Sequence, residues 1–302
     1  MKILVIGHLC IDVAHPRGGT VAESWGGIAN AIEALAELAG KNDAVVPVAG
    51  VGREDAPAFS AWLERFPAVD GSGIFPLDGP TNRIHLYEQD DGTRVACTKD
   101  MAPPVPFDRI RKFLAADAIL ITMASGSDIT LDTLDLIRLE IRPRATTVHL
   151  DYHNLTLGVS GTGERIRRPV PEWRRWAFMI PSVQLNEEEI AGLALEHMSE
   201  EQTAGHLLTL GVKGVIVTRG PRGATLYTNE HKKMLRHDIP GVPAPGPAVR
   251  IGLGDLFGAA MLLRLAGSGD LRAAAEFANA TAGGAALRNR ADARPVADPA
   301  RN

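Results

Sequence analysis

Gly252-Leu253-Gly254-Asp255 runs directly into Leu256–Ala266 (LFGAAMLLRLA), a glycine-rich turn opening an apolar helix. The first N–H groups of such a helix have no partner within it and point outward, and the helix dipole favours negative charge there. The glycines let an anion approach the backbone closely. This is an arrangement suited to a phosphoryl group whose charge spreads over its oxygens during transfer. Asp255, held ionised by the dipole, is placed to take a proton from an attacking hydroxyl.

Outward from that turn, short β-branched runs read as buried strands at Ile3–Ile6, Ala44–Val48, Ala118–Thr122, Thr147–Leu150, Phe178–Ile180 and Val215–Thr218. Helical patterns lie between most of them: Ala29–Ala39 with Gly40 as C-cap, Leu131–Leu139, and Glu187–Glu196. Asn186 with Glu189 has capping-box spacing. Alternating strands and helices predict an α/β fold with a central, mostly parallel sheet covered by helices on both faces. Gly18–Trp25 and a hairpin (Arg83–Gln89, a turn at Asp90-Asp91-Gly92, Thr93–Thr98) break the rhythm and suit a small β appendage.

Two further stretches carry polar chemistry. Gly26-Gly27-Ile28-Ala29-Asn30 precedes the first helix, and Asn30 offers a donor and an acceptor to a vicinal diol. Asp12 follows the first strand, at the end of the sheet where open α/β folds bind ligands. Trp25, beside Gly26, is expected to face the substrate, whereas His153 reads as structural.

The order of these stretches resembles the ribokinase-like (PfkB) family of carbohydrate kinases along most of the chain. Gly252–Asp255 looks like its C-terminal signature and Gly26–Asn30 like its N-terminal glycine signature. Val48–Asp55 is similar to its V-G-x-D segment, Asn186–Glu189 to its N-x-x-E motif, Val217–Gly220 with Gly223 to its nucleotide segment, and Asp151–Asn154 to its D-x-N segment. Asn279 resembles the Asn beside the adenine pocket.

The resemblance implies a single domain over 1–302, with a discontinuous β lid at about 14–25 and 80–101. It implies transfer of the γ-phosphate of ATP to a hydroxyl of a sugar or nucleoside-like substrate. Asp255 would be the base, Gly252 and Gly254 the anion hole, and Asp12, Gly26, Gly27 and Asn30 the substrate contacts. Asn186, Thr218, Gly220, Gly223 and Asn279 would hold the nucleotide, and Glu189 would serve Mg2+ and its waters. Where the family usually has Asp-Thr, this chain has Val249-Arg250. Val249 offers no side-chain ligand, so K+ activation is not expected, and Arg250 is expected to place positive charge near the transferring phosphate. A homodimer through the lid is a further implication. The competing reading is a catalytically idle nucleotide- or sugar-binding regulator of the same fold.

Composition sets outer bounds. A chain of 302 residues, 45% hydrophobic, is long enough for a large core. A formal net charge of -4 disfavours binding nucleic acid through phosphate neutralisation. Two cysteines are too few for a disulfide framework. With no apolar run of membrane-spanning length, a soluble cytoplasmic protein is expected. No G-x-G-x-x-G follows the first strand, which argues against a dinucleotide-dependent oxidoreductase.

Overall fold

The computed structural model describes residues 1–89, 94–193, 198–243 and 252–288. The chain opens with β1 (Lys2–Ile6), then β2 (Leu9–His15) and β3 (Ala22–Gly27). α1 (Ile28–Leu38), β4 (Ala44–Gly52), α2 (Ala56–Leu63) and β5 (Ile74–Leu77) follow. The hairpin β6 (Asn82–Glu88) and β7 (Arg94–Asp100) precedes α3 (Phe107–Arg111), β8 (Ala118–Thr122), α4 (Leu131–Ile141) and β9 (Thr147–Asp151). A small pair, β10 (Leu157–Val159) and β11 (Arg165–Arg167), leads through α5 (Trp173–Ala177) to β12 (Ser182–Asn186). α6 (Glu187–Ala191), α7 (Glu200–Thr209), β13 (Gly214–Thr218), the hairpin β14 (Gly223–Glu230) and β15 (Lys233–Pro240), α8 (Leu253–Ser268) and α9 (Leu271–Arg288) complete it.

Nine strands form the central sheet in the order β15-β14-β13-β12-β9-β8-β1-β4-β5. β14 and β15 are antiparallel and the others parallel. β1 pairs with β4 on one side and β8 on the other, so the strand order reverses there and leaves a crevice at the strands' carboxyl ends.

Side chains alternate across a strand, and both faces are apolar because both are covered. Leu4 and Ile6 pack with Val148, Leu150, Val183 and Leu185 on one face. Ile3 and Val5 pack with Ile28, Ile32, Leu256 and Leu262 of α1 and α8 on the other. A second, four-stranded sheet, β3-β2-β6-β7, stands beside this core. It takes in Leu9–Val13, ahead of the 14–25 segment in which a lid was expected.

Several local expectations are corrected. Phe178–Ile180 is not a strand: Phe178 ends α5 exposed, Met179 has φ of 58°, and the strand starts after Pro181, at Ser182. α1 ends at Ala39 rather than Gly40, whose N–H bonds the Asp43 carboxylate. α6 stops at Ala191, and 194–197, in the rest of the expected helix, lie outside the described residues, as do the hairpin turn at Asp90-Asp91-Gly92 and the tail beyond 288. No helix among the described residues is long and apolar enough to cross a membrane.

Candidate active site

Gly252 caps α8 in the left-handed conformation (φ 86°), without a side-chain cap. Its carbonyl accepts from Leu256, which leaves the N–H groups of Leu253, Gly254 and Asp255 unused by the helix. Asp255, in this first turn, is 4% exposed. Its Oδ2 accepts from Asn30 Nδ2 at 3.3 Å, and its buried Oδ1 has no hydrogen-bond partner among the described residues. Burial pushes its carboxyl up to about 6, with the positive charge of His153 opposing and the Asp151 carboxylate adding to the rise.

Asp151 ends β9 and is buried. Two residues on, His153 holds a left-handed backbone (φ 39°), uncommon for a residue with a Cβ and often found at functional sites. Its Nδ1 lies 3.6 Å from Asp151 Oδ2. Burial works against its charge, but Asp151, Asp255 and Glu189 outweigh that and lift it to about 10. Ligand-type atoms of Asp151, His153 and Asp255 all lie within 4.8 Å of one another. Hard carboxylate oxygens in such a group suit a divalent cation that keeps part of its water shell. Sequence reasoning set His153 aside as structural. The available signal was Asp151 itself, an acid at the carboxyl end of a strand near the sheet's reversal.

Asp12, past the end of β1, lies on β2 in the smaller sheet. Burial pushes its carboxyl up to about 6, against the pull of His153. Gly26, on β3 two residues beyond Asp12's partner Ser24, makes room for it: a Cβ there would fall 2.1 Å from Asp12 Oδ2. Gly27 has φ of 58° and caps α1. Asn30, one turn in, reaches Asp255 and packs against Gly252, so it joins the two glycine stretches across the site. Trp25 lies on the strand face opposite to Asp12 and packs edge-on against Phe59 at 5.0 Å, because alternate residues of β3 point to opposite faces.

The Asn186–Glu189 segment forms a complete capping box at the start of α6. Asn186 N and Nδ2 donate to the two Glu189 carboxylate oxygens at 2.7 and 2.6 Å, and Glu189 N donates to Asn186 Oδ1 at 2.8 Å. Both oxygens of Glu189 are thus engaged within the helix cap. Burial, and then the Asp151 charge, push its carboxyl up to about 7. Replacing Asn186 by Ala is expected to lower stability by about 1 kcal/mol through loss of the cap, measured as a shift of the urea midpoint; an unchanged midpoint would contradict it.

Thr218, Gly220, Gly223, Gly254, Phe257 and Asn279 share one cavity of 170 Å³, with Leu253, Pro221 and Ala282 adding apolar wall. Asn279 Nδ2 donates to the carbonyl of Pro240 at 2.9 Å, which leaves its amide oxygen unassigned to that bond. The cavity opens beside the anion-hole turn, since Leu253 and Gly254 belong to both. Asn186 and Glu189 do not line it. Val249 and Arg250 lie outside the described residues.

A scan against protein families matches residues 175–296 to the family described as pfkB family carbohydrate kinase. Among solved structures, ribokinase from Thermotoga maritima is similar at 20% identity, with a TM-score of 0.71 over 93% of this chain and 91% of that one. A pyrophosphate-dependent kinase of the ribokinase family, complexed with a pyrophosphate analogue and myo-inositol, is similar at 16% identity, with a TM-score of 0.73 over 95% of each chain. A ribokinase II from E. coli, described as putative and complexed with ATP and Mg2+, is similar at 18% identity, with a TM-score of 0.69 over 95% and 93%. A search of curated proteins found no match. The C-terminal part of the chain, residues 175–296, is thus similar to the pfkB family of carbohydrate kinases, and the chain has the ribokinase-like fold.

Proposed function

We propose that the protein transfers the γ-phosphate of ATP to a hydroxyl of a sugar, polyol or nucleoside-like acceptor. The observation that carries this reading is the buried Asp255 Oδ1, without a partner among the described residues and set in a helix turn whose first N–H groups also have none among them. The acceptor hydroxyl gives its proton to Asp255 while its oxygen bonds to the γ-phosphorus. The bond from that phosphorus to the bridging oxygen breaks, and ADP leaves with the electron pair. The amides of Leu253, Gly254 and Asp255 take the charge on the transferring group. Asp12 and Asn30 hold the acceptor's other hydroxyls. Mg2+ would be held by the Asp151 carboxylate, with Glu189 reached through water, and would supply positive charge to offset that of the phosphates.

ATP is favoured over pyrophosphate by the cavity beside the anion hole. Its Leu253, Phe257, Pro221 and Ala282 walls suit a flat nucleobase, for which a pyrophosphate donor has no use. The test offers ATP and pyrophosphate in parallel to the purified protein, with a panel of pentoses, hexoses, sugar acids, inositols and nucleosides. ATP consumption dependent on one acceptor supports the reading; consumption of pyrophosphate alone would overturn the donor assignment. No consumption of either, with ATP bound, would favour the idle regulator. For the active acceptor, kcat/KM is expected to fall about tenfold per pH unit on the acid side, because protonated Asp255 cannot accept the hydroxyl proton. That limb is expected near pH 6, where the carboxyl titrates. A flat profile between about pH 5 and 8 would contradict the base assignment.

A further inference from the structure

On the sheet face opposite to Leu150, Val183 and Leu185, strands β9 and β12 do not present apolar side chains to α8. They present His149, Ser182 and Gln184, with exposures of 0, 0 and 3%. These form a line of hydrogen bonds. Gln184 Nε2 donates to the Gly254 carbonyl at 3.1 Å, Gln184 Oε1 meets His149 Nε2 at 3.3 Å, and His149 Nδ1 meets Ser182 Oγ at 2.9 Å.

One polarity satisfies all three bonds. A carbonyl only accepts, so the Gln184 amide nitrogen faces Gly254 and its oxygen faces the imidazole. His149 Nε2 must then carry the hydrogen, and Nδ1 accepts from the Ser182 hydroxyl. Burial holds the imidazole below its usual pKa, which fits this neutral form.

α8 is shaped to this line. Gly258 lies one turn beyond Gly254, where helix propensity alone would favour Ala. A Cβ at Gly258 would fall 3.3 Å from Gln184 Oε1 and 3.7 Å from the His149 ring. Buried polar groups of this kind add little stability over apolar residues of the same shape. What the line does reach is the carbonyl of Gly254, inside a turn that has no side-chain cap.

We propose that Gln184, backed by His149 and Ser182, is a positioning residue that fixes the first turn of α8 and so aims its free amides at the transferring phosphoryl group. This rests on the reading of that turn as the anion hole. Small displacements of such groups are costly, about 10²-fold for 1 Å.

The test compares wild type with Gln184→Met, His149→Phe, Ser182→Ala and the double variant Gln184→Met/His149→Phe, by steady-state kinetics and by amide hydrogen exchange. Gln184→Met is expected to lower kcat by about 10-fold or more with both KM values nearly unchanged, because the lost aim matters only in the transition state. The double variant is expected to be little worse than Gln184→Met alone, since the two act through one bond. Exchange at Leu256, Phe257 and Gly258 is expected to speed up by about fivefold or more while the central strands stay protected.

Wild-type kcat and wild-type exchange in a folded Gln184→Met protein would overturn the proposal. So would a lowered melting temperature with unchanged kcat, which marks a packing role alone. If wild type turns over no acceptor, the exchange arm still decides: faster exchange confined to Leu256–Gly258 supports the positioning and leaves only the kinase reading refuted. If Gln184→Met does not fold, Ser182→Ala, the smallest change and the far end of the line, carries the same comparison.

Discussion

Asp255→Asn is expected to lower kcat by about 10²–10⁴-fold, the usual contribution of a general base, and at the same time to make the protein more stable at pH 8. The two effects share one cause. A carboxylate buried with an unpartnered oxygen is held ready for a proton, and its charge is poorly solvated while it waits. Its folded pKa is raised to about 6 from an ordinary 3.8. A raised carboxyl contributes stability below its unfolded pKa and loses that contribution as pH rises through its folded pKa. At pH 8 wild type has lost it, whereas Asn never ionises. The gain from Asp255→Asn is therefore expected to be full at pH 8, at most about 3 kcal/mol for a shift of this size, and to shrink as pH falls from about 6 to 4. Thermal melts of both proteins at pH 8 and pH 5 check it. A variant less stable than wild type at pH 8 would mean that Asp255 is a structural cap.

Gly252→Val is expected to lower kcat by about 10²–10³-fold, the cost of losing an anion-hole donor, and to destabilise the protein by about 1–3 kcal/mol. A β-branched residue is strained at the φ of 86° found there. Its Cβ would also fall 3.1 Å from Asn30 Cγ and 3.3 Å from Asn30 Oδ1, pushing the amide away from Asp255. Gly269→Ala separates strain from function. Gly269 closes the other end of α8 at φ of 70°, with nothing within 4 Å of a Cβ. It is expected to lower the melting temperature without changing kcat. Equal loss of kcat in both variants would show that helix strain, not the turn beside Asn30, sets the activity.

Much of this architecture was legible because it depends on local pattern. β1 and β8 are nearly continuous apolar runs, as strands buried on both faces must be, and their ends, like those of β9, fall within a residue of expectation. The capping box at Asn186 and Glu189 is written in their spacing. What failed depended on contacts distant in sequence. β12 carries polar Ser182, Gln184 and Asn186 on alternate positions, so the more apolar Phe178–Ile180 drew the strand assignment although it is the turn that follows a helix. β2 carries Asp12 and His15 among apolar residues, β15 carries Lys233, Arg236, His237 and Asp238, and these strands are placed by pairing with their neighbours.

At the site, Asp255, Asn30 and Asp12 were recognisable as chemistry, but their relations were not. Asn30 was read as a substrate contact, and the structure also bonds it to a carboxylate 225 positions away. Gly26 was read as an approach for a ligand, and the space it leaves holds the Asp12 carboxylate. His153 gained meaning only from the three acids that tertiary structure gathers around it.

The most direct measurement follows label from [γ-32P]ATP into the acceptor panel, with wild type and Asp255→Asn side by side at pH 8. The account predicts a single labelled phosphate monoester with wild type and almost none with a folded Asp255→Asn. Equal labelling by both proteins, or ATP binding without labelled product for any acceptor, would contradict it.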